Sequence, residues 1–178
     1  MDWLVDVGLG LDNDTLRLSR TTPEWVEAGA RLRRDVADRL AGLAVDVAQI
    51  GSSSVNGLLA KPIIDLAIGL AADQDLMPVR EQLESAGWIY RGDAGGQGGH
   101  VFILESVPSR RVAHAHVVEH LGEQWRNYTR LRDLLRRSPE ARQRYEDVKL
   151  QLVDSVGNDR VLYTDGKTEI VSSLLEEA

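Results

Sequence analysis

The run Lys61-Pro62-Ile63-Ile64-Asp65-Leu66-Ala67-Ile68-Gly69-Leu70 restricts the fold most. It is apolar almost throughout and far shorter than the roughly 18 residues a membrane span needs, so it reads as a well-buried strand. Its one acid, Asp65, is costly to bury unless the carboxylate is paired or binds a metal. Whatever surrounds this strand must both cover it and satisfy that charge.

The rest of the chain alternates between helical and extended patterns. Thr22-Pro23-Glu24-Trp25 marks a helix start, and Trp25, Leu32, Val36, Leu40 and Leu43 share one face, which predicts a helix to about residue 43. Strands are expected at 16–18, 45–50, 61–70, 88–90, 100–104 and 112–118, the last two as a hairpin turning at Pro108-Ser109. Helices are expected over 74–86, from Gly122, from Ser138-Pro139-Glu140 and over about 168–177. Residues 1–15, rich in Gly and Asp, read as a loose entry segment. The expected architecture is α+β, with a mixed β-sheet of about five strands flanked by helices and a helical C-terminal third. At 178 residues, residues 1–178 form one domain on the usual scale of roughly 100–200 residues per domain.

Composition narrows the partners. Asp plus Glu number 28 against 21 Lys plus Arg, a net charge of −7, which argues against the basic field of a nucleic-acid binder. With no cysteine, disulfides, thiol catalysis and Cys-ligated metals are excluded. No apolar stretch of spanning length and no basic n-region at Met1-Asp2-Trp3 are seen, so the expected location is cytoplasmic, with no membrane partner.

The segment that carries chemistry is Ile50-Gly51-Ser52-Ser53-Ser54, between the strand at 45–50 and the strand bearing Asp65. A glycine turn with serine hydroxyls and free N–H groups can cradle phosphate oxygens, although a plain turn has the same composition. Followed by a strand aspartate, it sets phosphate donors beside a magnesium ligand. His114 and His116 share one face of their strand, and His100 starts the partner strand. Imidazoles there would bind a metal or act as acid or base; hydrogen-bonded sheet histidines are the plain alternative. His120 and Glu119 fall outside that pattern.

These residues resemble the GrpB family of the nucleotidyltransferase superfamily. Ile50 to Asp65 is similar to its IGSTSVPGLxAKPIID block, and Pro23-Glu24-Trp25 to its Pro-x-Trp motif. Gly87 to Gly92, His100-Val101-Phe102, His114 to Glu119, Arg132 to Arg136 with Pro139, Tyr145 and Lys149, and finally Tyr163 and Lys167 resemble further blocks, covering about 15–175. The resemblance implies a nucleotidyltransferase-like enzyme that binds a nucleoside triphosphate or other phosphorylated small molecule with Mg2+ or Mn2+. Such an enzyme passes a nucleotidyl or phosphoryl group to a small acceptor. Asp65, His114 and His116 would be catalytic, with Asp65 and His116 on the metal. Gly51, Ser52, Ser53, Ser54, Lys61, Arg91, His100, Arg132, Tyr163 and Lys167 would hold substrate. From the residues themselves, the glycine-rich stretch at 95–99 reads as a lid over that substrate or as a plain hairpin loop.

One departure matters. Ala67 stands where active nucleotidyltransferases carry a second acid, because residues i and i+2 of a strand share a face and can share metal. Family members fused to dephospho-coenzyme A kinases point to an alternative, a non-catalytic nucleotide- or coenzyme A-related accessory module. A biosynthetic enzyme reusing the pocket for another activation or condensation is a third reading.

Overall fold

The computed structural model describes residues 2–94 and 99–178. Helix α1 (Asp2–Asp6) leads through β1 (Leu11–Asp12) and β2 (Ser19–Arg20) into α2 (Pro23–Arg39) and β3 (Asp46–Ile50). A 3-10 turn (Ser52–Ser54), β4 (Leu59–Ala60), β5 (Ile64–Leu70) and α3 (Leu76–Ser85) follow. Strands β6 (Trp88–Asp93), β7 (His100–Val107) and β8 (Arg110–Glu119) complete the sheet, and α4 (Glu123–Arg137), α5 (Pro139–Val156), α6 (Arg160–Asp165) and α7 (Thr168–Glu177) close the chain.

Among the described residues the main sheet has six strands in the order β3-β5-β8-β7-β6, with β1 added to β8. Strands β5 and β8 run parallel at its centre and their neighbours antiparallel, so the expected mixed sheet is present. A crossover must join parallel neighbours, and here α3 and the β6–β7 hairpin supply it. Leu66 and Ile68 of β5 and Ala115 and Val117 of β8 face α2 and α3, forming the larger core with Trp25, Leu32, Val36, Val79 and Leu83. The opposite face carries Ala48, Ile50, Ala67 and Val118 and is covered by Trp125 of α4. Alternation along two adjacent strands therefore places Asp65, His114 and His116 under the C-terminal helices.

Several local expectations shift. The entry segment is not loose: α1 forms, Leu4, Leu9 and Leu11 are buried, and Trp25 Nε1 donates to the Val7 carbonyl at 2.8 Å. Its glycines masked an apolar pattern too short to register as a helix. Helix α2 begins as expected, with Thr22 capping the Trp25 N–H, but stops at Arg39. Gly42 at φ 81° turns the chain, and Leu43 reaches the core from that turn. The strand expected at 16–18 forms instead at Ser19–Arg20, pairing with β4. Helix α6, six residues long, is too short for an apolar repeat to mark it in the sequence.

Candidate functional site

Parallel pairing of β5 with β8 sets Asp65 beside His114 and Ala67 beside His116. His114 Nδ1 lies 3.2 Å from Asp65 Oδ1. An ionised carboxylate only accepts, so Nδ1 donates and Nε2 keeps its lone pair. That Nε2 is shielded from solvent and has no hydrogen-bond partner. Burial is the largest influence on Asp65 and would raise its pKa, but the hydrogen bond and charge of His114, then His116 and Lys61, hold it below the usual carboxylate value. Burial, more than Asp65 restores, lowers His114. The pair is therefore an anionic carboxylate orienting a neutral imidazole. His116 packs on the Tyr128 ring at 5.3 Å, and burial, then the Asp65 charge, pushes the Tyr128 phenol up to about 12.

The Gly-Ser turn sits directly over this pair. Gly51 has φ 70°, and a Cβ there would lie 2.6 Å from Asp65 Oδ2, so backbone conformation and close approach both demand glycine. Ser52 Oγ accepts from Lys149 Nζ at 3.3 Å. Ser53 is 1% exposed, and its hydroxyl has no hydrogen-bond partner although the residue lines the cavity. Ser54 departs from its expected role as a phosphate ligand. Its hydroxyl donates to the Gly51 carbonyl at 2.7 Å and closes the turn, and its carbonyl accepts from Arg136.

These groups line a cavity of about 730 Å³ between the sheet face and α4, α5, α6 and α7. Lys61, Arg91, Arg111, Arg132 and Lys167 line it against one carboxylate, Asp65. A protein of net charge −7 thus concentrates cations here. Lys61 and Lys167 lie over one ring, that of buried Tyr163, at 5.6 and 4.7 Å. Burial, then the Lys167 charge, lowers Lys61 to about 8. Arg91 approaches Glu105 only to 4.0 Å, and Arg111 Nε has no partner. Arg132 is more committed to structure, bonding Asp133 at 2.7 Å and the Gln49 carbonyl at 3.1 Å. Lys61 and Lys167, which form no ion pair among the described residues, and the unpartnered Arg111 Nε lie in the same cavity lining as the buried Ser53 hydroxyl, a donor set that an anion would satisfy.

His100 is a correction. It pairs across the sheet with Val117 rather than His116, and cross-strand partners share a face, so it points away from the cavity. Its Nδ1 lies 2.9 Å from Tyr90 Oη. The proposed lid lies outside the described residues at 95–98. Sequence reasoning did not single out Arg111, because nothing local shows it facing Lys61. Lys149 carried a signal in its four-residue spacing from Tyr145, whose ring its Nζ meets at 4.4 Å.

The residues do not fit a two-metal centre. Ala67 occupies the second ligand position with no exposure, and among the described residues no group of three or more His, Asp and Glu could hold an ion. One cation held by Asp65 and His116, its shell completed by phosphate oxygens of a ligand, is the most the donor set allows.

The fold and cavity define an α+β protein whose central parallel strand pair sets an Asp–His dyad beside a partly open cavity lined by basic side chains. The GrpB protein family model matches residues 15–177, and the chain belongs to that family. It is similar to the glutamate-rich protein GrpB of Alkalihalophilus pseudofirmus, 32% identical over 137 residues, covering 74% of this chain and 78% of that protein. A UPF0157 protein of Streptomyces coelicolor is 35% identical over 161 residues, covering 90% of this chain and 83% of its own length. The crystal structure of the conserved protein GrpB from Enterococcus faecalis superposes with a TM-score of 0.78 at 25% identity, covering 90% of this chain and 96% of that one.

Proposed function

We propose that the cavity binds a phosphorylated small molecule and that His114 acts as general base on an acceptor attacking its phosphorus. The observation that carries this reading is His114, which Asp65 orients and which lines a cavity together with five basic side chains; its Nε2 has no hydrogen-bond partner. Lys61, Lys167, Arg111 and the Ser53 hydroxyl take the phosphate oxygens; Arg91 lies beside Glu105 at the same wall. The acceptor O–H or N–H gives its proton to Nε2, its heteroatom bonds to phosphorus, and pyrophosphate or the remaining leaving group departs with the bond electrons. Asp65 keeps the imidazole in the tautomer with Nδ1 protonated and stabilises the imidazolium that forms. Asp65 and His116 are the side chains that would hold Mg2+ or Mn2+ on a nucleoside triphosphate, where the ion would supply charge neutralisation of the phosphates.

Ala67 favours a second reading, in which the same pocket binds a nucleotide or a coenzyme A-related phosphate without turnover, as an accessory module. A panel of nucleoside triphosphates with Mg2+ or Mn2+, followed by melting temperature and pyrophosphate release together, separates the two. Stabilisation with release supports transfer; stabilisation without release across a broad acceptor panel supports the binding module. No stabilisation by any triphosphate or other phosphorylated compound refutes both.

A further inference from the structure

We infer that the ligand is amphiphilic: its phosphoryl head sits at Lys61 and Lys167 and carries an apolar chain or ring that lies along the cavity wall formed by α4 and α7. The inference rests on the anion-binding reading above and adds the chemistry of the rest of the ligand. Lys167, Val171 and Leu175 follow one another at four-residue steps, and all three line the cavity. At 1.5 Å per residue, this face passes from an ammonium to an apolar wall over about 12 Å. Beside it, α4 adds Leu131 and Leu135 at the same spacing.

These side chains are held in place from behind. Leu131 and Val171 pack against the buried cluster of Val55, Leu58, Leu134 and Leu174, so the core fixes them while their other side meets the cavity. Helices α4 and α7 pack on each other, Arg130 of α4 donating to the Leu175 and Ala178 carbonyls, and together they form an apolar wall of the cavity facing the sheet. The cavity volume of about 730 Å³ lies in the range of roughly 300–1,000 Å³ that encloses a drug-sized organic ligand. An inorganic phosphate at Lys61 and Lys167 would leave the apolar walls wetted. A head-and-chain ligand matches both kinds of lining, because Lys61 and Lys167 share one cavity with the apolar side chains of Leu131, Leu135, Val171 and Leu175.

The test is calorimetric titration at fixed ionic strength with pyrophosphate, methyl phosphate, and butyl, hexyl and octyl phosphate, all below their micelle concentrations. Affinity is expected to rise about three- to fourfold per methylene, the ratio given by transfer of a CH2 group out of water, until the chain fills the space. Leu131→Asn should flatten that series and leave pyrophosphate affinity within about twofold, since it adds no charge to the cavity. Where Leu131→Asn lowers the melting temperature, Leu175→Asn near the end of α7 gives the same reading. Equal affinity for methyl and octyl phosphate overturns the inference while the anion reading stands. A chain-length slope that persists in Leu131→Asn and Leu175→Asn also overturns it, because the chain then binds elsewhere. Failure of pyrophosphate and all phosphates to bind overturns the anion reading, and this inference with it.

Discussion

Lys149 offers a sharp test of how the site is built. It is 1% exposed, and its ammonium donates to the Leu59 carbonyl and to Ser52 Oγ. Burial, then the Lys167 charge, lowers its pKa to about 7, with Glu146 offsetting in part and Arg20 adding repulsion. In the unfolded chain a lysine titrates near 10.4, so between about 7 and 10 the unfolded state holds a proton that the folded state has lost. Stability must then rise with pH across that window, by up to about 1.4 kcal/mol per unit. Lys149→Met removes this dependence, while the net charge changes of the remaining chain are common to both proteins. The unfolding free energy of the wild type minus that of Lys149→Met, from urea titrations, should grow by about 2 kcal/mol between pH 7.5 and 9. A constant offset of about 1–3 kcal/mol, from the hydrogen bonds lost to Leu59 and Ser52, lies beneath that slope. A difference that stays flat over this window refutes the reasoning, because Lys149 would then titrate as an exposed lysine does.

Three further outcomes follow from the same geometry. Gly51→Ala should lower stability by about 1–3 kcal/mol and displace the Asp65 carboxylate, read as a lower melting temperature with a changed His114 ring signal in NMR; an unchanged His114 signal would contradict the close approach. Asp65→Asn removes the charge that supports His114 in its protonated form, so the His114 pKa should fall further and ligand-induced stabilisation should drop sharply; a full wild-type ligand response would take Asp65 out of the site. His100→Phe should cost about 1 kcal/mol through the lost Tyr90 bond and leave pyrophosphate binding unchanged, since that ring lies on the other face of the sheet.

The elements legible in the sequence are those whose periodicity is long. The Thr22-Pro23 cap, the apolar run ending at Leu70 and the hairpin of β7 with β8 all repeat over enough residues to fix their type. The pairing of Asp65 with His114 could be placed on one sheet by motif spacing, but the parallel register that brings them to 3.2 Å is a tertiary fact. His100 shows the limit most clearly. One position of register decides which face a strand residue takes, and β7 pairs so that Val101, not His100, lies beside His116. Ser54 and Ser53 are equivalent as letters. Only the turn geometry gives one hydroxyl to a backbone carbonyl and leaves the other buried without a partner. Arg111 and Lys61 are distant in sequence, so the concentration of cations in an acidic chain emerges only when β8 and the approach to β5 are side by side.

The central claim is that this cavity holds a phosphorylated ligand by its unpaired cations. Calorimetric titration of pyrophosphate into the wild type and into Lys61→Met/Lys167→Met, with melting curves to establish that both are folded, tests it most directly. The account predicts one site per chain in the wild type, weakening as salt is raised, and a loss of at least about tenfold in the double variant, the effect of removing two charged hydrogen-bond donors. Equal affinity in the two folded proteins, or no binding to the wild type, would contradict it.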